Sequence, residues 1–251
     1  PHLRRDTESG CFFFLQIAWY GITGCRYAAG LAAACVTGRE RRRNHMNSDR
    51  LSSKEYWAGK YEVPTAGQAP FTTEARLKKW VPGWLRQGRK MLLRRHASRQ
   101  LLEVLLRPHV EGRNGLRGIE IGSAPGWQSL GLWKRFGIVP YGLEYTETGV
   151  QLQRALYRAQ GLAEDLVLQG DFFDDALRAK WRGYFDLVTS YGFIEHFENP
   201  REVLAKQMEL LRPGGVLVVT VPNLNDGTVY GRLVRRFNPA VYAMHNTATC
   251  S

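Results

Sequence analysis

Apolar and polar positions along the second half of the chain fall into short continuous apolar runs separated by stretches of helical period. Leu116–Ile121 is an apolar run; a glycine turn and a helical stretch through Phe136 follow it. Val139–Tyr145 is a second run, and Glu147–Gln160 has helical spacing. Leu166–Leu168 and Phe185–Ser190 are further runs, Glu198–Leu211 reads as a helix, and Arg212-Pro213-Gly214-Gly215 separates it from a fifth run, Val216–Val221. Continuous apolar strands alternating with helices predict a parallel sheet covered on both faces, an α/β fold. In such a sheet the ligand site lies beyond the C-terminal strand ends, where the strand order reverses.

The pattern ahead of this region is different. Tyr56, Trp57 and Tyr61 recur at near-helical spacing, and Val63 to Thr73 is a Pro/Gly/Thr loop. From Arg89 to Arg107, the positions Met91, Leu92, Leu101, Leu102, Leu105 and Leu106 among arginines predict an amphipathic helix stopped by Pro108. Cys11 to Val36 is rich in apolar and small residues, which fits a membrane anchor or signal peptide, although Gln16, Arg26 and several glycines oppose a span. The chain begins with Pro1, and Arg39-Glu40-Arg41-Arg42-Arg43 precedes Met46 where purine-rich codons would form a ribosome-binding site. The expected organisation is therefore a doubtful upstream extension at 1–45, a helical cover at 46–113, a core at 114–222, and a linker with an incomplete C-terminus at 223–251.

Composition is ordinary for a folded protein, with 44% hydrophobic and 23% charged residues in 251. The net charge of +12 suggests a nucleic-acid partner until it is located. Residues 76–113 carry eleven basic and two acidic residues, 1–45 carry seven and three, and 114–251 carry fourteen of each. The body has no basic footprint, so no nucleic-acid partner is expected. The four cysteines are Cys11, Cys25, Cys35 and Cys250, which leaves the body without a thiol nucleophile or a cysteine metal site.

Candidate chemistry sits at the strand ends. Glu120-Ile121-Gly122-Ser123-Ala124-Pro125-Gly126 ends the first strand and opens a helix, where small residues let backbone amides approach a ligand. Glu144 ends the second strand and could accept both hydrogen bonds of a ribose diol. Asp171 and Phe172 follow the third strand and pair a carboxylate with a flat apolar ring. The fourth strand runs through Ser190 and Tyr191 into Glu195-His196.

With these segments in this order, residues from about Ser53 to Asn225 resemble the class I S-adenosylmethionine-dependent methyltransferases, specifically the small-molecule group that includes ubiquinone-biosynthesis-type enzymes. The resemblance rests on IEIGSAPG, YGLEY, GDFF, FDLVTSYGFIEHFENP and LLRPGGVLVVTVPN. It implies a Rossmann-like, doubly wound, mostly parallel sheet that binds S-adenosyl-L-methionine in the cytoplasm. Gly122, Ser123, Ala124 and Gly126 would surround the methionine part above Glu120. Glu144 would hold the ribose hydroxyls, Asp171 the adenine amino group and Phe172 the ring face, with Tyr145 beside Glu144 in the cofactor-binding set. Ser190 and Tyr191 would line the methionine end.

The resemblance also implies two further strands after the fifth. The tail Asn223–Ser251, with Tyr230, Arg232, Arg235, Arg236, Phe237 and Tyr242, looks like a substrate-facing linker helix and has no strand pattern. The last strands are therefore expected to be missing, leaving Val216–Val221 as an open edge.

Methyl transfer needs a base only for a protonated acceptor. His196 and Glu195 are the candidates, set against the plainer reading in which the pair only caps and orients the loop entering the next helix. No metal is expected. A small-molecule acceptor is favoured: the body lacks a cysteine for cytosine methylation, and Ser190-Tyr191-Gly192-Phe193 replaces the Pro-Pro turn of amino-methylating nucleic-acid enzymes. A nicotinamide enzyme would want G-x-G-x-x-G, a spacing that Gly122, Ala124 and Gly126 do not supply. An inactive cofactor-binding remnant or interaction protein is the reading from another class.

Overall fold

Strands from both ends of the chain share one sheet in a computed structural model that describes residues 13–19, 29–32, 50–61, 96–222, 224 and 227–247. In chain order the elements are β1 (Phe13–Trp19), β2 (Ala29–Ala32), α1 (Lys54–Tyr61), α2 (His96–Val110), β3 (Arg117–Ile121), α3 (Trp127–Phe136), β4 (Val139–Glu144), α4 (Glu147–Arg158), β5 (Val167–Gln169), α5 (Asp175–Lys180), β6 (Phe185–Tyr191), α6 (Pro200–Met208), β7 (Leu211–Pro222), α7 (Val229–Phe237) and α8 (Pro239–Ala243). The chain divides into two units, 1–61 with 115–251, and 62–114. Helix α1, expected within a 46–113 cover, belongs to the first unit.

The sheet order is β2-β1-β7-β6-β3-β4-β5. From β3 the chain winds outward through β4 to β5, then returns to the other side of β3 for β6 and β7, all five parallel. This is the doubly wound, Rossmann-like α/β arrangement expected from the pattern, and the reversal lies between β3 and β6. The strands end within a residue or two of their apolar runs except β7. Its ladder to β6 jumps from Phe185↔Leu211 to Leu187↔Val216, so the Arg-Pro-Gly-Gly segment bulges within the strand instead of preceding it.

One expectation is corrected at the sheet edge. No described strand follows β7 in sequence, but β7 is not an open edge: β1 lies parallel along it from Phe13↔Val216 to Trp19↔Pro222, and β2 pairs antiparallel with β1. The Phe-Phe-Leu-Gln-Ile-Ala-Trp run has strong strand propensity and offers the backbone partners that the Val-rich strand lacks. Residues 29–32 and 13–19 of the doubtful extension are thus sheet; its other residues, and the 63–73 loop, lie outside the described residues. No helix among the described residues is long and apolar enough to cross a membrane.

Local chemistry starts the helices. Thr146 accepts a hydrogen bond from the amide of Gly149 (3.3 Å) to cap α4, and Asp174 accepts from Ala176 (2.9 Å) to cap α5. Asn199 accepts from Glu202 (3.4 Å), with Pro200 at the first position of α6. In the second unit, α2 runs past Pro108 to Val110 instead of stopping before it. So near the C-terminus the proline forfeits only one helical hydrogen bond. Leu102, Leu106 and Val110 form one stripe of this helix, and Arg107 pairs with Glu111 at 2.9 Å.

The core of the first unit joins Ile119, Ile121, Leu143, Val188, Leu217 and Val219 from the central strands. At its margin Phe185, wholly buried, contacts the rings of Tyr141, Trp181 and Tyr184 with centroids 5.0–5.7 Å away. On β3, Glu120 is buried, and one carboxylate oxygen accepts from the amide of Ser129 in the first turn of α3 at 3.0 Å. Burial pushes this carboxyl up to about 7, against the opposing hydrogen bonds from Ser129.

Two outcomes follow from this packing. Phe185→Ala removes the aromatic centre and should cost about 3–5 kcal/mol in chemical denaturation. The stability that Glu120 draws from its raised pKa is complete below its ordinary 4.5 and is lost as pH rises through about 7. Glu120→Gln, which keeps an acceptor for Ser129 but cannot ionise, should therefore gain stability relative to the parent as pH rises. The gain should total about 3 kcal/mol between acid and mildly alkaline pH, read as the difference of two melting curves.

Candidate functional site

The turn from β3 into α3 takes its shape from two glycines. Gly122 has φ +67° and Gly126 φ +92°, the left-handed region that disfavours other residues. A Cβ on Gly126 would also approach Gln153 Cγ to 2.8 Å. The amides of Gly122 and Ser123 both donate to the carbonyl of Leu143 on β4, at 2.9 and 3.3 Å.

Beneath the turn runs a buried polar chain. The Ser123 hydroxyl donates to Gln153 Oε1 (2.6 Å), and Gln153 Nε2 donates to the Tyr157 hydroxyl (3.2 Å). That hydroxyl lies 3.0 Å from Ser129 Oγ, and the Ser129 amide reaches Glu120. Of the residues expected around a methionine moiety, Ser123 thus turns its side chain inward, while Gly122, Ala124 and Gly126 form the turn itself. Glu120 is buried on β3 at the end of this polar chain.

The acids stand at the neighbouring strand ends. Glu144 is buried; Oε1 accepts from the amide (2.8 Å) and hydroxyl (2.6 Å) of Thr146, and Oε2 faces the amide of Ala124 at 3.5 Å. Asp171, after β5, accepts from the amide of Phe173 (2.9 Å) and is gripped by both its oxygens through Arg50 Nη2, at 2.5 and 2.6 Å. The Arg50 guanidinium also lies over the rings of Tyr145 (5.5 Å) and Phe173 (5.0 Å). Phe172, expected as an open ring face, is buried in the core against Phe173 and Phe193; the ring facing the cation beside Asp171 is that of Phe173. Burial raises Tyr145 to about 12, so it stays a neutral phenol.

At the end of β6, Ser190 is fully buried and donates to Gln207 Oε1 at 3.2 Å, while Tyr191 is half-buried at the strand terminus. The following single turn, Ile194–His196, brings Glu195 and His196 into the interior. Burial pushes Glu195 up to about 8 and His196 down to about 4, the latter helped by His245. His196 Nδ1 lies 2.8 Å from the carbonyl of Met244, and the His196 and His245 rings are 4.6 Å apart.

Helix α1 and the residues before it touch several of these groups. Arg50 bridges to Phe197, and Leu51 donates to the carbonyl of His196 at 2.9 Å. Trp57 packs edge-on against His196 (5.0 Å), and Tyr61 donates to the carbonyl of Ala124 at 3.1 Å. Burial raises the Tyr61 phenol, and Glu144 and Glu120 add to the shift.

Sequence reasoning missed Arg50, Tyr61, Gln153 and His245. The spacing of Tyr56, Trp57 and Tyr61 was a usable signal for α1. A buried glutamine on an otherwise polar helix, by contrast, looks like any exposed residue.

Residues 93–250 match the methyltransferase domain family. Among curated proteins, the chain is 25% identical over 111 residues to a ubiquinone biosynthesis O-methyltransferase of Shewanella sp. (strain ANA-3), covering 44% of this chain and 45% of that protein. It is 26% identical over 102 residues to norajmaline N-methyltransferase of Rauvolfia serpentina, covering 40% and 34%. It thus spans less than half the length of either relative. A solved SAM dependent methyltransferase from Archaeoglobus fulgidus is 23% identical, with 57% of this chain and 60% of that one covered and a TM-score of 0.40. Because the methyltransferase domain model matches residues 93–250, more than half of its length, this chain belongs to the S-adenosylmethionine-dependent methyltransferase domain family.

Proposed function

We propose that this chain binds S-adenosyl-L-methionine over the Gly122–Gly126 turn and moves its methyl group to an O, N or C atom of a small molecule, acting in the cytoplasm where that cofactor is made. The observation that carries the reading is Glu144, a buried carboxylate one strand over from a turn of left-handed glycines, with Oε2 facing the Ala124 amide at only 3.5 Å. An oxygen this loosely engaged is suited to a pair of ribose hydroxyls. Gly122, Ala124 and Gly126 would accept the methionine portion against backbone, and Asp171 would accept from the adenine amino group. Tyr145 and Phe173 would supply ring faces in place of the buried Phe172. Ser190 would act through its main chain and Tyr191 through its ring edge.

The bound sulfonium supplies an already activated methyl group. The protein's part is alignment and exclusion of water, so that the acceptor's lone pair attacks the methyl carbon as its bond to sulfur breaks. A protonated acceptor gives its proton to a group at the same end, and Glu195 and His196 are two titratable side chains there. The neutral 114–251 body favours a small-molecule acceptor over nucleic acid.

Arg50 holds Asp171 in the manner an adenine amino group would, and the two compete for one carboxylate. In calorimetric titration with S-adenosylmethionine, Glu144→Ala should abolish measurable heat. Arg50→Ala should bind several-fold more tightly than the parent, the release of a half-exposed ion pair worth about 1 kcal/mol. Absence of binding by the parent chain would overturn the reading.

A further inference from the structure

The geometry points to a divalent transition-metal site formed by Glu195, His196 and His245, on which the acceptor's oxygen or nitrogen is received. One ligand atom from each of the three lies within 4.8 Å of the other two. Two imidazoles and a carboxylate are the donor set of zinc-type sites that keep an open coordination position.

Three independent features of the surroundings fit this assignment. Glu195 is 1% exposed, and its Oε2 is buried with no hydrogen-bond partner among the described residues. A buried carboxylate oxygen without a partner is costly unless something else occupies its lone pairs. Each imidazole is oriented through its other nitrogen: His196 Nδ1 lies 2.8 Å from the carbonyl of Met244, and His245 Nδ1 lies 2.6 Å from the carbonyl of Val241. Such outer hydrogen bonds fix the tautomer that leaves Nε2 as the ligand. Finally, the two chain segments are tied together. Asn246 donates its amide to the Glu195 carbonyl (2.6 Å) and its side chain to the carbonyls of Phe197 and Glu198 (3.1 Å each). The three donors therefore do not depend on a metal to come together.

Lys60 acts electrostatically on all three groups, with its ammonium 4.4 Å from the Trp57 ring centroid. It is the rival occupant: a lysine serving as the counter-ion of Glu195 would make the cluster purely structural. Metal binding itself does not depend on methyl transfer; only the role given to the acceptor rests on the function proposed above, and in the metal-bound site Glu195 and His196 are ligands rather than proton acceptors.

The test is titration of the full chain, freed of metal by chelator, with Co²⁺. One ion per chain should bind with the visible absorption of a four- or five-coordinate site, and Zn²⁺ should bleach it. His245→Ala and Glu195→Gln should each weaken binding by at least about tenfold, whereas Lys60→Met should leave it equal or tighter. Zn²⁺ should also shift the ring resonances of two histidines in the unmutated chain, a readout that survives if a variant fails to fold. No stoichiometric Co²⁺ binding, or binding indifferent to the loss of His245, overturns the site. S-adenosylmethionine calorimetry on the same samples separates that failure from failure of the methyltransferase reading.

Discussion

The Gly122–Gly126 turn keeps its shape because a chain of buried hydrogen bonds stands beneath it. Ser123, Gln153, Tyr157, Ser129 and Glu120 hand one polar contact to the next across β3, α3 and α4 without reaching solvent. In a low-dielectric interior such a series is strong when complete and costly when one member is missing. It is also directional, in that each group has one geometry that satisfies its neighbours. The backbone of the turn is thereby held in left-handed conformations at Gly122 and Gly126, and the Leu143 carbonyl secures it to β4. The positions of Glu144 and Ala124 relative to each other are a consequence of this frame.

A second layer of organisation comes from residues 50–61. They contact the Asp171 carboxylate, the Tyr145 ring, the Ala124 carbonyl and the imidazole of His196. These groups follow four neighbouring strands, so a single short segment lies along the sheet's rim from β6 to β5. The burial of Glu144 and Glu195 reflects the same convergence of elements over the strand ends. Glu195 and His196 are both buried there, which leaves their ionised forms poorly solvated.

The five strands β3 to β7 were legible in the sequence because each is a short, mainly apolar run between stretches of helical period. The strand-end acids were legible because chain order and spacing place them. What was not legible depends on contacts between distant residues. Phe172 and Phe173 are identical in type, and only packing decides that the first enters the core and the second faces Arg50. Gln153 reads as one more polar helix position, and its role depends on Ser123, thirty residues away. His245 lies in a tail without strand pattern, yet its ring meets one 49 residues earlier. The edge strand was misread for a related reason. The Phe13–Trp19 run signals apolar character, and only the Val-rich flank of β7 makes a strand of it rather than an anchor.

That edge strand also orders events in time. The pairs from Phe13↔Val216 to Trp19↔Pro222 join residues about 200 positions apart, the longest-range ladder in the described sheet. Parallel pairing at such separation is slow, since the entropy of closing the intervening loop precedes any reward from contacts. A ribosome delivers β1 about 200 residues ahead of β7, so β1 waits with one side of its backbone unpaired until β7 emerges. The β2 hairpin covers its other side during that interval. The central strands, whose partners are close in sequence, can assemble while the edge is still waiting, which makes docking of β1 a late step of folding.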